Sequence, residues 1–139
     1  MQVHGSCAAR DGAGVLLLGP PGAGKSDLVL RLLDRGFMLV ADDRVEIVDG
    51  CAAPPAALAG LLEVRGLGIV RLPHVAPVRL ALAVALGAGA VRLPAAERYA
   101  PADIPLLRVD AAAASAPAVI ALALDCAAGR VPQLAGAFA

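Results

Sequence analysis

The sequence predicts an α/β domain of the P-loop type, with a mixed sheet and few helices, and three observations carry that expectation. The first is Gly19-Pro20-Pro21-Gly22-Ala23-Gly24-Lys25-Ser26, which fits the Walker A pattern of a glycine, four free positions, then glycine, lysine and a hydroxyl residue. The second is its setting: Val15 to Leu18 is a short apolar run of strand type, and Asp27 to Leu33 carries apolar residues at helical spacing. The third is the remainder of the chain, where several short apolar runs read as strands and a single further stretch, near the C-terminus, reads as a helix.

The loop has a mechanism. Gly22 and Gly24 let the backbone curl so that successive N–H groups, helped by the helix N-terminus, point at one group of phosphate oxygens. Lys25 then reaches the β- and γ-phosphates, and Ser26 places its hydroxyl on a magnesium ion. A glycine-rich turn that binds nothing is the alternative, but such a turn has no use for lysine and serine in this register.

Taken in order, residues 1–10 form a first strand carrying His4, and Asp11-Gly12 turns the chain into Val15–Leu18. By itself His4 reads as a solvated or structural histidine near a chain end. The helix opening at Lys25 ends near Arg35-Gly36, where Gly36 supplies a left-handed cap. Phe37 to Ala41 is a buried strand running into Asp42-Asp43, the Walker B arrangement in which a carboxylate meets the magnesium. Neighbours on an extended chain point to opposite sides, so one acid serves the metal while the other accepts a proton from an incoming hydroxyl. Both also suit a turn before Val45–Val48, which pairs with Cys51–Ala53 across Asp49-Gly50.

Pro54 to Gly60 is a loop with room for one helical turn. In Leu61 to Val70, Glu63 and Arg65 alternate with apolar residues and share a face. They either look into a nucleotide cleft, as a magnesium group and a phosphate contact, or form a surface pair. Pro73-His74 marks a turn, Pro77–Leu86 a long strand, 87–105 a loop-rich stretch carrying Glu97-Arg98-Tyr99, and Leu106–Val109 a further strand. The last helix spans Pro117 to Ala127 with Ser115 as cap, and 130–139 is a flexible tail.

Composition bounds the rest. A chain of 139 residues is one domain. Its three aromatics leave the core to Leu, Val and Ile. Basic and acidic residues balance at twelve each, which gives no reason to expect nucleic acid or an anionic membrane surface. The longest uncharged runs, Leu80–Val91 and Ala111–Leu124, fall short of the about 20 residues a spanning helix needs. No signal peptide is visible. Three unpaired-looking cysteines with no C-x-x-C spacing suit reduced thiols in the cytoplasm.

His4-Gly5, the loop 19–26, Leu39-Val40-Ala41-Asp42-Asp43-Arg44-Val45-Glu46-Ile47 and Leu62-Glu63-Val64-Arg65-Gly66-Leu67-Gly68-Ile69 together resemble the C-terminal catalytic domain of HPr kinase/phosphorylase, to about Asp125. That resemblance implies a P-loop kinase domain of phosphoenolpyruvate carboxykinase-like fold. It also implies ATP and Mg2+ as cofactors, a seryl hydroxyl of the phosphocarrier HPr as acceptor, and a homo-oligomer, hexameric in the family. Carried over, Asp43 is the base for the seryl proton, Lys25, His4 and Arg98 are active-site residues, and Ser26 and Glu63 are magnesium ligands, with Asp42 beside them. Two departures go with it. The chain begins just before His4, so the family's N-terminal domain and its regulation are expected to be absent or supplied from elsewhere. Where the family carries a proline-glycine-arginine segment tied to dephosphorylation, this chain reads Asp110-Ala111-Ala112-Ala113-Ala114-Ser115-Ala116-Pro117, so kinase activity is expected to exceed phosphorylase activity.

Overall fold

The computed structural model describes residues 1–87 and 91–139. Among these the chain order is β1 (Gln2–His4), β2 (Ser6–Arg10), β3 (Ala13–Leu18), α1 (Lys25–Leu33), β4 (Met38–Ala41), β5 (Arg44–Val48) and β6 (Cys51–Ala53). There follow β7 (Leu61–Val64), β8 (Gly68–Arg71), β9 (Val78–Leu86), β10 (Glu97–Tyr99), β11 (Ile104–Val109) and α2 (Ala116–Ala127). Nine strands form one mixed sheet in the order β1-β5-β6-β9-β3-β2-β4, with β11 beside β9 and β10 beyond it. The pairs β3–β9 and β9–β11 are parallel and the others antiparallel, while β7 and β8 make a separate hairpin.

Side-chain alternation divides the core between the two faces of this sheet. Val15 and Leu17 of β3 and Leu82, Val84 and Leu86 of β9 pack under Leu28, Val29 and Leu32 of α1 and Ile120 and Leu124 of α2. Leu16, Ala83 and Cys7 face the other way, against Val45, Ile47 and Ala52 of the β5–β6 hairpin. Strands covered on both faces lose their polar positions, which is why β3 and, past the exposed Arg79, β9 read as apolar runs. A register shift between Gly14 and Val15 against β9 puts Leu80 and Leu82 on opposite faces although they are two residues apart.

Several expectations change. Residues 1–10 form two strands, β1 and β2, broken at Gly5 and paired with different neighbours, where one was expected. Glu97–Tyr99 lies within the stretch read as loop, yet it forms a strand against β11, joined by a tight turn in which Asp103 takes φ +50°. Some of that stretch, 88–90, lies outside the described residues. Ser115 precedes α2, but its hydroxyl makes no capping bond, and the first turn instead carries Pro117. Residues 130–139, read as a flexible tail, contain neither helix nor strand; within them Ala137 is buried and Phe138 packs on the helix-side cluster, while Leu134 is exposed. No helix among the described residues is long and apolar enough to cross a membrane.

Candidate active site

The loop between β3 and α1 is shaped by close approach. A Cβ on Gly19 would stand 3.0 Å from the Ala23 Cβ and 3.4 Å from that of Leu86, so a side chain there would push the loop off the end of β9. The Ala23 N–H donates to the Pro20 carbonyl at 3.1 Å and closes a tight turn. Gly24, at φ +95°, is the N-cap of α1, a left-handed position that costs other residues about 1–2 kcal/mol. No side chain caps this helix, so the first-turn N–H groups have no partner within it and give the end a partial positive charge. Lys25 Nζ folds back onto the loop, donating to the carbonyls of Gly19 at 2.6 Å and Pro20 at 3.1 Å.

Opposite the loop, β4 delivers two acids to two places. Asp42 is buried and accepts hydrogen bonds from Ser26 Oγ at 2.8 and 3.0 Å and from Ser6 Oγ at 2.7 Å. The Arg44 N–H then donates back to the Asp42 carbonyl at 2.8 Å, bending the chain tightly around Asp43, which takes φ +70° and lines the cleft. The Gly5 N–H donates to the Asp43 carbonyl at 3.2 Å, and a Cβ on Gly5 would stand only 2.8 Å from the Leu17 carbonyl oxygen. The β7–β8 hairpin forms the third wall. Glu63 and Arg65, two apart on and just beyond β7, both reach the same cleft of about 440 Å³.

Of the residues singled out in the sequence, Gly22, Gly24, Lys25, Ser26, Asp43 and Glu63 therefore share one cleft. Pro21 borders it as well, Asp42 lies behind Ser26, and Gly19, Pro20 and Ala23 shape the loop. His4 does not line the cleft. It sits exposed on β1 opposite Arg44, one residue from the Gly5 contact to Asp43. Nor does the structure bring Arg98 to the cleft: its guanidinium, on the sheet-edge strand β10, is paired with Asp103 at 3.1 Å. Sequence reasoning missed Ser6, whose signal was a hydroxyl at a position buried inside an apolar strand. Its neighbour Cys7 faces the opposite core, and burial pushes that thiol up to about 12, far from nucleophilic use.

The residues present fit a hard divalent cation. Asp42 is a buried carboxylate that no basic side chain among the described residues pairs with, and such a charge is costly unless something positive offsets it. The other side-chain oxygens on offer are the Ser26 hydroxyl bonded to it and, on the cleft wall, the carboxylates of Asp43 and Glu63. No group of three or more His, Cys, Asp or Glu side chains gathers as a ready cage among the described residues. Magnesium asks for none, since it is held by one or two carboxylates together with phosphate oxygens.

The family model described as HPr Serine kinase C-terminal domain matches residues 1–77. The HPr kinase/phosphorylase of Levilactobacillus brevis is 41% identical over 96 residues, covering 66% of this chain and 28% of that protein. That of Clostridium tetani is 43% identical over 76 residues, covering 52% of this chain and 25% of that one. The chain thus spans about a quarter of the length of the curated relatives it matches. Among solved structures, the Hpr(Ser) kinase/phosphatase from Coxiella burnetii superposes with a TM-score of 0.73 over 86% of each chain at 23% identity, a likeness of fold.

Proposed function

This chain belongs to the HPr serine kinase C-terminal domain family, and on that premise we propose that it is a P-loop kinase of phosphoenolpyruvate carboxykinase-like fold that transfers the γ-phosphoryl group of ATP to a seryl hydroxyl of HPr. The observation that carries the reading is the meeting of Lys25, Ser26, Asp43 and Glu63 in one cleft, with Asp42 bonded to Ser26 from behind.

In this reading the loop amides from Gly22 to Ser26 hold the phosphates, and Lys25 exchanges the Gly19 and Pro20 carbonyls for phosphate oxygens. Ser26, Asp42 and Glu63 would hold Mg2+, which when bound neutralises charge on the transferred group. Asp43 points its carboxylate into the open cleft, where it accepts the seryl proton as the oxygen attacks. His4 stands at the strand end beside the Asp43 turn, as a rim group toward the acceptor. Arg98 stays with Asp103 and takes no part in this subunit's cleft.

The same proposal includes a homo-oligomer, hexameric by family resemblance, and a cytoplasmic setting, which the free thiols of Cys7, Cys51 and Cys126 suit. Phosphorolysis is weak in this reading. The alanine segment that leans on Gly24, with the Ala111 Cβ 3.5 Å from where a Gly24 Cβ would be, offers no guanidinium to an attacking phosphate.

A transfer assay with ATP, Mg2+ and HPr tests the reading. Wild type is expected to phosphorylate HPr, and Asp43→Asn to lose about 100-fold to 10,000-fold in rate while binding ATP normally. Equal rates for the two would remove Asp43 from the chemistry, and ATP binding without transfer to HPr would make the chain a nucleotide sensor or a kinase of another acceptor.

A further inference from the structure

The carboxylate behind the loop is held from two sides, and only one of them belongs to the Walker A segment. Ser6 lies on β2, fully buried, at the end of the β2–β4 pairing where Cys7 stands opposite Ala41, which brings it beside Asp42. Its Oγ donates to Asp42 Oδ1 at 2.7 Å, the shortest of the side-chain bonds that Asp42 accepts. Ser26 Oγ approaches the same carboxylate from the cleft side, 2.8 Å from Oδ1 and 3.0 Å from Oδ2. The Glu63 N–H stands 3.5 Å from Oδ2, too far for a strong bond.

We infer that Ser6 is a positioning residue for the metal–nucleotide site: its hydroxyl fixes the Asp42 carboxylate so that Asp42 in turn aims the Ser26 Oγ lone pairs into the cleft. A serine hydroxyl has one proton and two lone pairs. With its proton committed to Asp42, Ser26 presents oxygen electron density outward. Because Ser26 Oγ reaches both Oδ1 and Oδ2, the direction of that bond, and so of the lone pairs, follows how the carboxylate is turned. Without Ser6, Oδ1 keeps one donor, and the carboxylate swings about its terminal bond, whose torsional preference is broad. Ser6 lies along the wall of the same cleft, but its side chain is fully buried and its proton is committed to Asp42, so its effect travels through Asp42 and Ser26. Groups that orient a metal ligand from behind typically change metal affinity by about 10-fold to 100-fold when removed.

The inference rests on the proposed ATP and magnesium site, and the experiment separates the two. Binding of a non-hydrolysable ATP analogue is measured by titration calorimetry, once with Mg2+ and once with a chelator, alongside urea unfolding of the free protein. Four chains are compared: wild type, Ser6→Ala, Ser6→Cys and Ser6→Thr. Cysteine fills the serine volume but is a weak donor, whereas threonine keeps the hydroxyl.

The Mg2+-dependent gain in affinity is expected to fall by about 10-fold or more in Ser6→Ala and Ser6→Cys alike, with affinity in chelator unchanged. Ser6→Thr, or wild type alone if the added methyl destabilises the fold, is expected to keep the full gain. A Ser6→Cys protein that behaved as wild type would mean that packing, not the donor, matters, and would overturn the inference, as would equal Mg2+ gains in wild type and Ser6→Ala. Wild type that bound no nucleotide, or bound it without regard to Mg2+, would instead overturn the functional reading beneath it.

Discussion

Asp43 holds its backbone at φ +70°, in the left-handed region where few residues other than Gly, Asn and Asp are at ease. The chain enters it to turn from β4 into β5, with the Arg44 N–H reaching the Asp42 carbonyl, and the effect is to separate the adjacent carboxylates of Asp42 and Asp43. Such conformations cost about 1–3 kcal/mol and persist where the surroundings over-determine them. Glycine relieves that strain but adds about 0.5–1 kcal/mol of chain entropy to be lost on folding. The exposed Asp43–Arg44 pair, at 4.0 Å, is too weak to change the balance. Asp43→Gly is therefore expected to unfold at the same urea midpoint as wild type or a higher one, by up to about 1–2 kcal/mol, while phosphoryl transfer falls at least about 100-fold. A variant less stable than wild type would mean that contacts, not function, keep aspartate there. The sequence parts these acids on the premise of an extended chain, but both lie in the bend after β4, the turn that was the alternative. The left-handed form of that turn was not legible, since aspartate favours turns of many kinds.

At the scale of elements, α1 does more than end the glycine loop. Its Arg31 guanidinium donates to the carbonyls of Ala111 and Ala113, more than 75 residues on, and so pins the segment that leans on Gly24. Arg31 also pairs with Asp27, one turn back on the same helix, at 3.0 Å, a contact that helical spacing accounts for. What a helical repeat cannot show is a carbonyl target on a distant loop. Hydrogen bonds from a charged donor contribute about 1.5–3 kcal/mol, and Arg31 is only partly buried, so Arg31→Ala should cost about 1–2 kcal/mol. Backbone amides of residues 112 and 113 should then exchange with solvent faster than in wild type, read by hydrogen exchange, with Arg31→Lys restoring some of the protection. Unchanged exchange in Arg31→Ala would show that the alanine segment is held by α2 alone. The strands β3 and β9 were legible as apolar runs because both faces are covered, whereas three residues of β10 are too few to show a period.

Across the whole molecule, strand order is what local pattern could not supply. β9 lies in the middle, against β3, β6 and β11, and nothing in its own nine residues names those partners. Charge joins regions of the fold that the sheet does not. Arg10 at the end of β2 and Arg130 beyond α2 both donate to Asp125, at 2.7 and 2.9 Å, while the Arg10 guanidinium lies over the Phe37 ring at 5.6 Å. The bond from Arg130 and the charges of both arginines hold the Asp125 carboxyl below its ordinary range, against a contribution from burial that raises it. A carboxyl depressed in the folded state stabilises fully above its unfolded value, about 3.9, and that contribution is lost as the pH falls through the lower folded value. Urea midpoints of wild type and Asp125→Asn, taken from about pH 6 down to about pH 2, should therefore differ most at the upper end and converge toward the lower. Glu97, held low by its bond to Arg108, titrates in both proteins and cancels from the difference. Two curves that stayed parallel throughout would mean that the Arg10–Asp125–Arg130 clasp contributes shape alone, with α2 and the segment after it anchored by Ile120, Leu124 and Phe138 rather than by charge.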